Sequence, residues 1–141
     1  MTNKEETKTV DDYLNTVSYA EDPDYQPSEF ALKFLAFIKM VNDGKGESSP
    51  SPVFHLKMLD SIANKEVRIA NLASRGTAKT SVFAEYLILY IAVYGQLDGF
   101  GTVNGIIYVS DTIENGVKSL KKNIEYRYEQ SDFLKEYLPP P

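Results

Sequence analysis

The sequence predicts an α/β fold, an incomplete parallel sheet flanked by helices. Three observations predict it. The stretch "EVRIANLA" (66–73) reads as a strand, and the residues from Lys79 to Tyr94 read as a helix that is apolar on nearly every face, hence buried. The third is "IIYVSD" (106–111), a short continuous apolar run typical of a strand covered on both faces, followed by a long polar helix. Strand, loop, helix, strand, helix is a βαβα order. The right-handed crossover rule then sets 106–110 parallel to 66–72, with the intervening helix packed across the sheet. A hairpin turning at Asn104-Gly105 is the competing arrangement, disfavoured because "LDGFGTV" is rich in glycine.

The remaining elements follow in order. Residues 1–26 carry many charges and little apolar periodicity, and read as a flexible acidic arm with a short ordered piece around Tyr13 to Val17. A single domain over 27–141 follows. Its first helix starts near Pro27-Ser28, because Phe30, Phe34, Phe37, Ile38 and Val41 recur at helical spacing. "NDG" (42–44) ends it, with Gly44 suited to the left-handed terminal position. "GKGESSPSP" (44–52) is a linker by composition. The next helix is capped by Ser51, has Pro52 in its first turn and runs to about Ala63. Asp111 and Glu114 stand at capping-box spacing before one last helix that extends to the terminal prolines.

Composition closes several classes of chemistry. The chain has 141 residues, no cysteine, one histidine (His55) and a formal net charge of −5. Cysteine nucleophiles, disulfides and His-rich metal sites are therefore excluded. No basic run offers a preformed surface for nucleic acid. The opening residues are polar rather than a signal peptide, and the longest apolar stretch, "YLILYIAVY" (86–94), is far short of a membrane span. These features predict a soluble intracellular protein.

The chemistry concentrates in "NLASRGTAKT" (71–80). A phosphate-binding loop wraps backbone N–H groups around phosphate oxygens. It places a lysine on the β- and γ-phosphates and a hydroxyl on Mg²⁺, and it starts a helix at the phosphate. Here Lys79 and Thr80 stand at the start of the expected helix, Gly76 supplies freedom within the loop, and Ala73 and Ala78 replace the first and last glycines of the usual pattern. Alanine disfavours positive φ, so Ala78 is expected in an ordinary helical or extended conformation. A lysine and threonine at an ordinary helix start is the plain alternative.

The residues "NLASRGTAKTSVFAEYLILY" and "GIIYVSDTIENGVKSLKKNIEYRYEQSDFLKEYLP" resemble the large terminase subunit of tailed bacteriophages, over about residues 50 to 139. That family is the P-loop ATPase motor that packages viral DNA into the capsid. The resemblance rests chiefly on the variant loop, Ser74-Arg75-Gly76 before Lys79-Thr80. It implies an ATP site with Mg²⁺, built from Ala73, Ser74, Arg75, Gly76, Thr77, Ala78, Lys79 and Thr80. Lys79 would bind the β- and γ-phosphates, Thr80 the metal, and the backbone from Ser74 to Ala78 the phosphate oxygens. Arg75 is open to the γ-phosphate, a neighbouring subunit or a surface ion pair. In the family a preceding helix covers the adenine, which makes Phe54 and His55 candidates for that contact; many members have a glutamine there and this chain has none. The plainer reading has Phe54 in the core and His55 in solvent. A complete motor would engage double-stranded DNA, the portal protein and the small terminase subunit in the host cytoplasm, with self-association only at full length.

Other parts of the family pattern are missing. No apolar strand ending in Asp-Glu is present to complete the Mg²⁺ shell and orient water, and the nuclease carboxylates are absent. Asp111 is either a catalytic carboxylate at the C-terminal end of a strand or, the preferred reading, a helix cap, and whether the chain hydrolyses ATP is left open. The chain reads as the N-terminal part of an ATPase domain. The alternatives are a fragment of another P-loop NTPase of helicase type, or a non-catalytic interaction protein that docks a partner through its acidic arm and through Tyr126, Tyr128 and Tyr137.

Overall fold

The computed structural model describes residues 24–43, 51–63, 68–70, 78 and 80–141, together with the backbone of 17–18. Over these residues the chain is helical. Helix α1 spans Glu29–Asn42. Ser28 caps it, accepting a bond from the Ala31 N–H at 3.1 Å. Asp43 ends it in the left-handed region with φ 51. This stop falls one residue before the expected Gly44, which lies outside the described residues. Helix α2 spans Val53–Ile62. Pro52, rather than Ser51, is its cap residue, and no side chain bonds the first turn.

Asp60 of α2 fastens the two helices together. Its Oδ1 accepts from the Ser28 N–H at 3.1 Å and from the Ser28 hydroxyl at 2.5 Å, and its Oδ2 accepts from the Tyr25 hydroxyl.

The expected central helix exists. A π-helical turn, Ser81–Tyr86, runs into an α-helical part, Leu87–Tyr94, and together they form α3. The expected last helix is two. A π-helical turn, Ile113–Lys118, continues into Ser119–Gln130 to make α4. The chain then breaks at Ser131, φ −112 and ψ 112, and α5 follows over Asp132–Tyr137. The break has a local cause. Ser131 is fully buried and its hydroxyl accepts from the Leu134 N–H at 3.2 Å, so it acts as a cap within what reads as a continuous polar helix.

The parallel sheet is not formed. Residues 68–70 carry no regular structure, and neither do 103–110. Ile107 and Val109, expected to be buried on both faces, are 90% and 83% exposed. Strand pairing among the described residues is confined to two-residue segments. Strand β1 (Val17–Ser18) runs parallel to β2 (Ser51–Pro52), and β3 (Gln96–Leu97) runs antiparallel to β4 (Gly101–Thr102). The tight hairpin therefore turns at 98–100, not at Asn104-Gly105. The reason lies in strand number. A doubly covered parallel strand needs hydrogen-bonded neighbours on its edges. Of the expected partner strand, 68–70 lie outside any strand and 66–67 and 71–73 lie outside the described residues; among the described residues the 106–110 run pairs with nothing, and helix packing makes the core.

That core is aromatic at its centre. Phe34 stacks on Tyr90 of α3 at 4.9 Å between ring centroids, and Phe37 meets Tyr90 edge-on at 5.3 Å. Leu56 and Leu59 of α2 and Leu134 of α5 close around them, each exposed by 1% or less. The stripe read from helical spacing in α1 is thus the main seam, against which α2, α3 and α5 pack. No helix among the described residues is long and apolar enough to cross a membrane. Of the predicted acidic arm, residues 1–16 and 19–23 lie outside the described residues.

Candidate functional site

The site begins at the N-terminus of α3. Ala78 sits at φ 53, in the left-handed region. The sequence-based expectation of an ordinary conformation is therefore corrected. Here alanine has the backbone geometry that glycine supplies at lower cost. The Ala78 carbonyl accepts the first helical bond, from the Val82 N–H at 2.9 Å. No side chain caps this end at Thr80, which is exposed.

A cavity of about 340 Å³ opens beside this helix start, lined by residues of α1, α2, α3 and α4. Leu35, Ile38, Leu56, Leu59 and Val82 give it an apolar body. Ala78 and Ser81 stand at the helix start, and His55 and Ser51 contribute from α2 and the residue pair before it. Asn42, Tyr86 and Arg127 form its remaining polar wall.

That wall is a connected network. Glu85 is 4% exposed, in the middle of an otherwise apolar helix. Arg127 of α4 answers it, with Nε and Nη2 each 2.7 Å from Oε2. Asn123 Nδ2 donates to Oε1 at 3.0 Å. Arg127 Nη1 also donates to the Tyr86 hydroxyl at 2.5 Å, and the guanidinium lies 4.1 Å from the centroid of the Tyr86 ring. The Tyr86 hydroxyl in turn donates to Asn42 Oδ1 at 2.9 Å. Burial pushes the Tyr86 phenol above the ordinary tyrosine value, with Arg127 and the bond to Asn42 opposing the rise. Two residues of α4, Arg127 and Asn123, thus satisfy the buried carboxylate, Tyr86 and Asn42 extend the network across three helices, and among the described residues no buried side-chain polar atom is left without a partner.

Of the residues expected at the site, His55 and Ala78 are brought to one cavity. Phe54 is half-buried and packs against the His55 ring, 4.3 Å between centroids, without lining the cavity. Thr80 is at the helix start but not in the lining. Ala73, Ser74, Arg75, Gly76, Thr77 and Lys79 lie outside the described residues.

Asp111 is exposed and held locally, its Oδ1 accepting from the Thr112 N–H at 2.8 Å and the Ser110 hydroxyl at 3.0 Å. The cap of α4 is Thr112, whose hydroxyl accepts from the Asn115 N–H at 3.1 Å. The capping box expected from Asp111 and Glu114 is thus shifted by one residue, and Glu114 pairs with Lys118 instead.

Among the described residues no three His, Asp or Glu side chains gather into a metal-binding group. The exposed Thr80 hydroxyl is the one expected metal ligand that the structure describes. A single hydroxyl would be one ligand of an Mg²⁺ ion that arrives with phosphate oxygens and its own waters.

Reading the sequence missed Arg127, Glu85, Asn42 and Tyr86. One signal for them was present. Glu85 is the single charged residue between Ser81 and Tyr94. A lone carboxylate in a buried helix requires a cation from elsewhere in the fold.

No family model, no curated protein and no solved structure matches this chain.

Proposed function

We propose that this chain binds a nucleoside triphosphate, with the phosphates at the N-terminus of α3 and the nucleoside in the adjoining cavity. The observation that carries this reading is Ala78. It holds φ 53 immediately before Lys79-Thr80, at the mouth of a helix that no side chain caps at Thr80 and that borders the cavity. A strained non-glycine residue persists where the surroundings demand that geometry. A left-handed residue next to a right-handed one turns their N–H groups toward one point, and a helix start adds its own free N–H groups, which together suit an anion.

The resemblance of the loop to that of large terminase subunits supports ATP with Mg²⁺ as the ligand. On it, the chain is the ATP-binding part of a DNA-packaging motor working in the host cytoplasm. In the assembled motor its partners would be double-stranded DNA, the portal protein and the small terminase subunit. Lys79 and Thr80 take the β/γ-phosphate and Mg²⁺ roles, and His55, in the cavity lining, is a contact to the base. What the chain's own residues supply is binding: N–H groups at the helix start, an apolar compartment that excludes water from the base, and a polar wall. Without an Asp-Glu strand to orient water, ATP turnover by this chain stays at background.

The test is calorimetric titration with Mg-ATP, of the chain and of its Lys79→Ala variant. The reading expects saturable binding that the substitution abolishes. Binding unchanged in Lys79→Ala, or none by a folded chain, rejects it. In the latter case the interaction-protein reading gains. It is favoured by Tyr126 and Tyr137, which are 63% and 57% exposed. Tyr128 does not join them, since it is half-buried and its hydroxyl donates to the Leu138 carbonyl at 3.3 Å.

A further inference from the structure

Arg127 lies well away from the helix start. Ala78 and the Glu85–Tyr86 pair are seven to eight residues apart along α3, which at helical rise is about 10 Å. That distance is comparable with the reach of a nucleotide from its α-phosphate to the far edge of its base. The cavity wall also includes the apolar side chains of Leu35, Ile38, Leu56 and Leu59. On the nucleotide reading, phosphates at the helix start leave the base directed toward the polar wall formed by Asn42, Tyr86 and Arg127.

The far end has a fixed hydrogen-bond polarity. A guanidinium carries five N–H donors and no acceptor. Arg127 commits three of them, two to Glu85 and one to the Tyr86 hydroxyl. One N–H remains on each terminal nitrogen. Because Arg127 can only donate, the Tyr86 oxygen must accept from it, and the single Tyr86 proton goes to Asn42 Oδ1. That fixes the amide of Asn42 with its oxygen toward Tyr86 and its two N–H donors elsewhere. Arg127 and Asn42 both line the cavity. The wall they form offers donors and is held by three helices.

We infer that Arg127 and Asn42 are the base-reading residues of this cavity, donating hydrogen bonds to ring-nitrogen or carbonyl acceptors on a nucleobase edge. The inference rests on the nucleotide reading above. Glu85 is the positioning residue of the pair, since it orients the guanidinium without facing the ligand itself. The ligand class is a purine or pyrimidine nucleotide rather than a bare polyphosphate.

The test is titration calorimetry of the full chain with two probes, Mg-ATP and inorganic tripolyphosphate. Arg127→Lys keeps a cation opposite Glu85 but loses the planar set of donors. It is expected to weaken Mg-ATP about tenfold while leaving tripolyphosphate within about twofold, the loss of roughly one directed pair of bonds to a base. Asn42→Ala, which leaves the ion pair intact, is expected to weaken Mg-ATP selectively as well. Circular dichroism confirms that both variants remain helical, and if Arg127→Lys does not fold, Asn42→Ala alone decides. Equal losses for the two probes, or no loss for Mg-ATP, overturn the inference and leave the nucleotide reading standing. Failure of the unmodified chain to bind either probe overturns both.

Discussion

Arg127 of α4 holds Glu85 of α3 in the interior, with two guanidinium nitrogens 2.7 Å from the same carboxylate oxygen. The side chains are 23% and 5% exposed. Removing one partner strands the other. Arg127→Ala is expected to cost about 2–4 kcal/mol, reduced from the full buried-pair penalty by the partial exposure of the arginine. The double variant Glu85→Gln/Arg127→Gln is expected to be less destabilised than Arg127→Ala, because no uncompensated charge remains. Urea unfolding of the single and double variants checks this.

Tyr86, Tyr90 and Tyr94 all have phenols raised above the ordinary value of 10.0, in each case mainly by burial. The folded state therefore keeps these protons to higher pH than the unfolded chain does. Their contribution to stability is complete below pH 10 and is lost as pH rises through the folded-state values above it. The expected outcome is an alkaline unfolding transition that starts above about pH 10, followed by far-ultraviolet circular dichroism. Tyr86→Phe should weaken this alkaline sensitivity while lowering stability at neutral pH by about 1 kcal/mol, through the lost bond to Asn42.

At Ala78 the left-handed backbone penalises a Cβ. Ala78→Gly is expected to stabilise the chain by about 0.5–1 kcal/mol, the strain released less the extra entropy glycine gains when unfolded. Ala78→Val should destabilise it, since a branched side chain tolerates positive φ still less. Denaturation midpoints of the two variants should move in opposite directions.

The end of α3 and the hairpin after it contain a sharper contrast. Gly95 and Gly99 have φ +68 and +79, but a Cβ at Gly95 would meet nothing within 4 Å, whereas one at Gly99 would lie 1.8 Å from the Ala63 carbonyl oxygen. Gly95→Ala is expected to cost about 1 kcal/mol from backbone strain alone. Gly99→Ala must in addition push the turn away from the end of α2, and its thermal midpoint should fall well below that of Gly95→Ala.

What was legible in the sequence was periodicity. The Phe30–Phe34–Phe37 stripe and the mostly buried character of 82–91 were readable because three- and four-residue spacing survives any choice of partner, although the helix end expected to be buried with them has Ala92 and Tyr94 exposed. Local chemistry was legible to within a residue or so. Ser28 caps α1, but Asp43 stands in for Gly44, Pro52 for Ser51, and Thr112 for Asp111. The sheet was misread because an apolar run such as 106–109 specifies only that a strand could be buried. Whether it is buried depends on neighbours that a local pattern does not contain. The polar wall was hidden for a related reason. Asn42, Glu85 and Arg127 are far apart in sequence, and only the crossing of α1, α3 and α4 makes them one group.

The exposure of Ile107 and Val109 has a consequence for handling this protein in concentrated solution. "GIIYVS" (105–110) is six uncharged residues without proline, rich in β-branched and aromatic side chains, and it carries no regular structure of its own. Such a segment is a nucleus for cross-β fibrils, in which identical copies stack in register and interdigitate. The chain is expected to show a concentration-dependent lag followed by thioflavin-positive growth on agitation. A single charge at Ile107 (Ile107→Lys) should lengthen that lag severalfold while leaving the helical core unchanged, since the side chain it replaces touches solvent on nearly every side.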